Sequence, residues 1–512
     1  MKKLLKSLHW VDDNLVHISL IFFIIATVLL PKIPFQFVEY TYIRIRFDDL
    51  LPVLIGVIFF IQLIRRKVTL NTQFVFLIGL FWFAVFLSFV YGTYIQNTIP
   101  VANIGLLHSL RRPQYMIIFF VAASAITSKK RFFTYMNLYL ALVGIVALYG
   151  FGQKFLQFPS IQSMNPAYVD GRLLTLNPGD RINSTFGGHF DLAAYLTFSM
   201  PILIGFYFFS KKKRYLGVFV LALLALLYTA ARSSFFAYII TISLFLLFIR
   251  KFKFYGLVII LTVILLLVTG DMTRRFQQTF QLKTVFVNEQ TGSEKIDQKI
   301  TTKELPAGQF EIPFLKKLNA KSNSGPISSS DQQKIQNVAL EQAIKEAQKK
   351  GKKINTQEIQ NRADEIAKFI KPQRTVLCDI SCATRLQLEW PRAIGAFAYN
   401  PLLGTGPSSI TEATDNDFLR WLGEFGVFGS TIFVFLVYQI SKRVRNALEK
   451  DSSLKYLSFG FGFGLIALFI NGFYVDVFEA SKVAYNFWLV AGLYIGFSQL
   501  TMKKEYEKGK KK

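Results

Sequence analysis

"FVFLIGLFWFAVFLSFVY", residues 74–91, carries no charge on any face. Eighteen residues rise about 27 Å as a helix, close to the thickness of bilayer hydrocarbon, about 30 Å. A helix on a soluble protein shows one apolar stripe; this one is apolar all round, so it packs against lipid or other helices. "LVHISLIFFIIATVLL" (15–30) and "FYGLVIILTVILLLVTG" (254–270) read the same way. Hydrophobic residues make up 52% of the 512, and they come in such blocks. Working outward gives about twelve spans: 14–31, 50–64, 74–91, 110–127, 133–152, 190–209, 215–230, 232–249, 254–270, 418–440, 454–474 and 483–500. Barrel strands would alternate in polarity over about ten residues, and that pattern is absent. The first block lacks a small-residue cleavage site after it, so it is expected to remain as a span. The fold class is therefore an all-α polytopic membrane protein.

The formal net charge is +27. Basic clusters stand at "MKKLLK", 65–67, 129–131, 211–214, 250–253, 441–445 and in the tail "KKEYEKGKKK". They fall on alternate connections. The positive-inside rule then places both termini in the cytoplasm. Topology accounts for the charge, and no basic soluble region with interleaved aromatics points to nucleic acid.

Three regions follow: 1–270 with about nine spans, an exterior loop 271–417, and 418–512 with the last three spans and a basic tail. Within the loop, 286–375 is polar. "SNSGPISSS" reads as linker, and the Ala-, Gln-, Glu- and Lys-rich stretch after it as one or two solvated helices on a mobile arm. A thin apolar stripe runs through Ile335, Val338, Leu340 and Ile344. The only cysteines, Cys378 and Cys382, lie in this loop, where an oxidising exterior favours a disulfide and free thiols are the alternative.

Polar residues at the outer ends of spans need another account. Arg181, His189, Arg232 and Arg385 stand there, against the usual charge bias. Pairing with carboxylates is one reading. Convergence on a phosphate group is the other, since guanidinium forks match phosphate oxygens. Asp415, Asn416 and Asp417 crowd the start of a span, either as helix caps or as a base for a hydroxyl proton. Asp476 and Glu479 lie at the outer end of a later span, with Lys482 near enough to pair with them.

Three stretches carry a resemblance: "RINSTFGGHFDLAAYL" (181–196), "ARSSF" (231–235), and "RLQLEWPRAIGAFAYNPLLGTGPSSI" (385–410) followed by "DNDFLRWLGEFGVFG" (415–429). In this order the chain resembles the O-antigen ligase and polymerase superfamily from roughly residue 40 to 500, outside the insertion. The resemblance implies a glycosyltransferase-type ligase or polymerase in the cytoplasmic membrane. It would move a glycan from a polyprenyl-diphosphate carrier to an acceptor hydroxyl on a glycan, lipid or protein, at the outer face. Transfer would proceed with inversion, without metal or cofactor. Asp415 holds the place of the family's histidine, before Asn416. The implied roles are Asp415 as base, Arg232 and Arg385 as diphosphate clamp, and Arg181, Asn416 and His189 as substrate contacts. Gly404 and Gly406 would let backbone approach substrate. His189 is the alternative base. A lipid-linked-glycan flippase or other transporter, or a catalytically inactive relative, remain the competing readings.

Overall fold

The computed structural model describes residues 9–37, 44–163, 173–177, 179–288, 294–296, 329–349, 356–410 and 414–509. The chain divides into two units, 1–273 with 392–512, and 274–391.

The first unit is a helical bundle. Its helices are α1 (Leu15–Leu29), α2 (Phe47–Ile64), α3 (Val75–Tyr94), α4 (Ala102–Ala125), α5 (Lys129–Phe155), α6 (His189–Ser210), α7 (Arg214–Thr229), α8 (Arg232–Phe248) and α9 (Phe252–Thr269). Two small antiparallel pairs sit in its connections, β1 (Pro34–Phe37) with β2 (Arg44–Arg46), and β3 (Ser160–Ile161) with β4 (Leu173–Leu174). Seven described helices are long and apolar enough to cross a membrane, and three shorter apolar helices accompany them. The chain is thus built as a membrane-embedded helical protein. Most boundaries fall within a few residues of the sequence expectation. The exceptions are the helices that begin at Asp417 and Ser481, which run on to Leu448 and Gly509 rather than ending near 440 and 500, and α4, which begins at Ala102 rather than near 110. Asn103, Gly105, His108 and Ser109 keep its first two turns out of a hydropathy window.

The second unit corrects the picture of solvated helices on an arm. Helix α10 (Asp271–Thr279) leads in, and β5 (Phe280–Asn288), β6 (Glu294–Ile296) and β7 (Ile370–Cys378) form an antiparallel sheet in the order β6-β5-β7. Helices α11 (Ser329–Lys349) and α12 (Thr356–Ala367) pack with it over a core. Phe286, Ile335, Ala339, Ala343, Ile359 and Ala363 are buried there, with Val338, Leu340 and Ile344 packed alongside. The apolar stripe was therefore a core face, too thin in sequence to announce a domain. Most of the "SNSGPISSS" linker lies outside the described residues. Cys382 is disulfide-bonded, and Cys378 is the one other cysteine in the sequence. Asp379 caps α13 (Ile380–Thr384), and a π-helical turn, Arg385–Glu389, follows.

The chain returns to the bundle through α14 (Trp390–Tyr399), then α15 (Asp417–Leu448), α16 (Lys455–Gly472) and α17 (Ser481–Gly509). Helix α17 lies against α4 at close range. A Cβ on Gly492 would stand 2.4 Å from the Phe119 carbonyl oxygen, and one on Gly496 2.4 Å from that of Ala123. Small residues at this four-residue spacing let membrane helices approach by their backbones. At one end of the bundle Asp12 accepts hydrogen bonds from Arg65, at 2.5 and 2.7 Å, and from Lys67. These cations hold its carboxyl below the usual carboxylate range. Arg131 reaches Asn14 at 3.1 Å. Two of the basic clusters therefore meet the same segment ahead of α1.

A candidate active site at one end of the bundle

Asn416 is the N-cap of α15, its side chain accepting from the Leu419 N–H at 3.0 Å. The residue before it, Asp415, has φ +49°. Left-handed backbone is uncommon outside glycine, although Asp and Asn tolerate it best. Asp476 fixes this turn. Its Oδ2 accepts from the Thr414 N–H at 3.1 Å, and its Oδ1 from the Asn416 N–H at 2.9 Å. One carboxylate thus grips the backbone on both sides of Asp415.

Asp476 belongs to a larger buried network. Arg420, one turn into α15, donates to it at 2.9 Å and to Glu424 at 3.3 Å. Glu424 meets Arg112 of α4 at 3.3 Å, and Arg112 meets Glu479 at 2.5 Å. Glu424 also accepts the Ser408 N–H at 3.2 Å. Arg112, Arg420 and Glu424 are all buried. Charges removed from water are kept only where partners compensate them, and here two arginines alternate with three carboxylates.

Gly404 and Gly406 have structural work in this arrangement. Both have positive φ, +73° and +97°. A Cβ on Gly404 would lie 2.4 Å from the carbonyl carbon of Glu424. The Gly406 N–H donates to the Glu424 carbonyl at 3.0 Å, beside the kink that Gly426 makes in α15. The glycines bring this loop against α15.

The other expected residues divide. Arg232 opens α8. Two positions on, Ser234 donates to Asn471 of α16 at 2.5 Å, while Asn416 donates to the Phe473 carbonyl at 3.0 Å. The starts of α8 and α15 are therefore both tied to the end of α16. Arg181 and His189 meet each other through Nη1 and Nε2. The next residue after Arg181, Ile182, donates its N–H to Tyr228, near the end of α7. Arg385 lies in the second unit, buried, with Nη1 donating to the Ser381 carbonyl at 2.6 Å.

Asp417 stands in the first turn of α15, behind the Asn416 cap, and it also ties a distant segment to that turn. It is buried, and its Oδ2 accepts from the N–H groups of Val477 and Phe478 at 2.8 and 3.2 Å. One expectation is corrected. Lys482 does not pair with Asp476 or Glu479. It donates to the carbonyls of Leu30 and Thr185 at 2.5 and 2.7 Å. The residues missed in the sequence are Arg112, Arg420 and Glu424. Arg420 and Glu424 stand at the i, i+4 spacing of a helical ion pair, which was a usable signal. Arg112 had none beyond being a charge in an otherwise apolar span.

No cluster of three or more His, Cys, Asp or Glu side chains suited to a metal ion occurs among the described residues. Neither family models nor curated proteins give a match to the chain.

Proposed function

We propose that the chain transfers a glycan from a polyprenyl-diphosphate carrier to an acceptor hydroxyl at the outer face of the cytoplasmic membrane. The observation that supports this most is Asp415, in left-handed backbone and gripped on both sides by Asp476. Backbone held in a sparsely populated region, over-determined by its surroundings, is a signature of functional sites. In this reading Asp415 accepts the acceptor's hydroxyl proton. The freed oxygen attacks the anomeric carbon, whose bond to the diphosphate oxygen breaks on the opposite face. The electron pair leaves on the diphosphate, and the anomeric centre inverts. Arg232, with Arg181, supplies countercharge to that leaving group.

The test is direct. Purified protein is given a lipid-linked glycan and an acceptor, and released polyprenyl diphosphate is measured. Release that depends on the acceptor supports transfer. Movement of intact donor across vesicles without release would establish the transporter reading instead.

The same proposal includes about twelve spans with both termini cytoplasmic. It rests on the alternating basic clusters. Cysteines introduced at 280–410 should label from outside, and those at 211–214 should not. The reverse pattern would overturn the orientation.

A further inference from the structure

The connections α6–α7 and α8–α9 carry six exposed cations, Lys211, Lys212 and Lys213 on one and Arg250, Lys251 and Lys253 on the other. Aromatic packing sets the two side by side. Tyr207, in the last turn of α6, stacks on Phe254 of α9 with ring centroids 5.6 Å apart, and Phe208 meets the same ring at 5.2 Å. Lys211 Nζ lies 5.0 Å from the Phe208 centroid. Tyr456, at the start of α16, also meets Phe208, whereas the other end of α16 meets Asn416. Helix α6 runs 22 residues from His189 to reach this place, about 33 Å at 1.5 Å per residue. The two turns therefore mark the end of the bundle remote from Asp415.

Positive charge at helix ends serves topology, and elsewhere on this chain it also finds a carboxylate. Arg65 and Lys67 pair with Asp12, and Arg445 pairs with Glu449. Here it finds none. The sequence holds no acidic residue between Asp191 and Asp271, and none of the six cations forms an ion pair among the described residues. Arg214 beside them turns to neutral partners, Asn137 at 3.1 Å and the Tyr215 hydroxyl at 3.0 Å. Beside this charge stands an apolar wall. Only 11% of α9 is buried, the least of the seven helices long enough to span, and Leu257, Ile260, Ile264 and Leu267 are exposed along it. Aromatic rings level with the cations are what the boundary between hydrocarbon and headgroups selects.

We propose that these two turns seat an anionic glycerophospholipid whose headgroup carries two phosphates, of the diphosphatidylglycerol type. One phosphate lies against Lys211, Lys212 and Lys213, the other against Arg250, Lys251 and Lys253, and acyl chains run along α9. Ammonium and guanidinium groups donate charge-assisted hydrogen bonds to phosphate oxygens. Clustered cations where helices leave a membrane are headgroup sites by the same electrostatics. The countercharge that the segment from 192 to 270 lacks is then supplied by the bilayer. The inference is independent of the transfer reading, because the seat lies at the opposite end of the helices and is read by binding alone.

The experiment uses the full chain in detergent, with retained lipid counted by native mass spectrometry and the unfolding midpoint measured beside it. Three probes are compared at equal phosphate: tetraoleoyl diphosphatidylglycerol, dioleoylphosphatidylglycerol and dioleoylphosphatidylcholine. The expected result is preferential retention of the first, with a rise in midpoint. Lys212→Gln with Lys251→Gln, one cation from each turn, should weaken that retention by roughly 30-fold, the scale of two surface lysines facing anionic lipid. Lys212→Arg with Lys251→Arg keeps both charges and should retain it. Arg66→Gln with Lys503→Gln removes equal charge elsewhere and should change nothing. Arg66 follows α2, and Gln499, one turn before Lys503, bonds Asn71 of the same connection at 2.7 Å. Equal retention of dioleoylphosphatidylglycerol would overturn the seat for two phosphates. An equal loss in the Arg66, Lys503 pair would reduce the effect to overall charge and overturn it as well. Full retention in a folded Lys212→Gln, Lys251→Gln variant would place the lipid elsewhere.

Discussion

Asp415→Asn should lower glycan transfer by about 10²–10⁴-fold, the usual contribution of a positioned base, while donor binding persists. The substitution is a clean one. Asn tolerates left-handed backbone about as well as Asp, and the Asp476 grip uses the N–H groups of Thr414 and Asn416, not the Asp415 side chain. The unfolding midpoint of the variant separates loss of the base from loss of fold. Asp415→His keeps a base at this place and should retain more activity than Asn. The helix-capping reading expects something else. Asn416 already caps α15, so a purely structural Asp415 would give a silent Asn variant. Wild-type turnover in Asp415→Asn would remove it as the base and turn attention to His189, which meets Arg181.

Arg420→Met should destabilise the bundle by about 3–5 kcal/mol, the cost of leaving buried charge without its partner. Arg420 is 2% exposed and Glu424 is fully buried. Removing the cation leaves Glu424 with Arg112 alone and Asp476 without its only ion-pair partner among the described residues. Arg420→Lys retains the charge and should cost less, since it loses only the fork that reaches two carboxylates at once. The measurement is the unfolding midpoint in detergent, compared across the two variants. A neutral Arg420→Met would mean that water reaches these carboxylates and that the network is not a closed one. Because Asp476 also holds the Asp415 turn, Arg420→Met should depress transfer even in the fraction that remains folded.

The sequence was a good guide where one solvent dominates. A run such as 74–91 must be a helix once its surroundings are lipid, and α3 spans Val75–Tyr94. It was a poor guide where solvents mix. The polar start of α4 hid its first eight residues, 102–109, and inside the expected span Arg112 is satisfied by Glu424 and Glu479 from distant parts of the chain. No local window contains such partners. The same holds for the site. Asp415 and Asn416 were visible through their neighbours in the sequence, but Asp476, which fixes them, lies some sixty positions away. Gly404 and Gly406 stood out in the sequence as places where backbone could approach substrate, and the packing they permit was not visible there. Their freedom serves close packing on α15, where a side chain would strike the Glu424 backbone. In the second unit the sparse stripe of 335–344 concealed a core, because much of that core is alanine. Alanine reads as helix-forming long before it reads as buried.

The pairing of β5 with β7 has a geometric consequence. Phe280 lies opposite Cys378 and Asn288 opposite Ile370, so the strand that opens the insertion is hydrogen-bonded along its length to the strand that closes it. The outgoing and returning chains are thus about 4.8 Å apart, one strand spacing. A tight turn would bridge that gap as well as the whole intervening segment does. The separation of the two chain ends at this stem is thus set by the strand pairing itself and not by the number of residues between them.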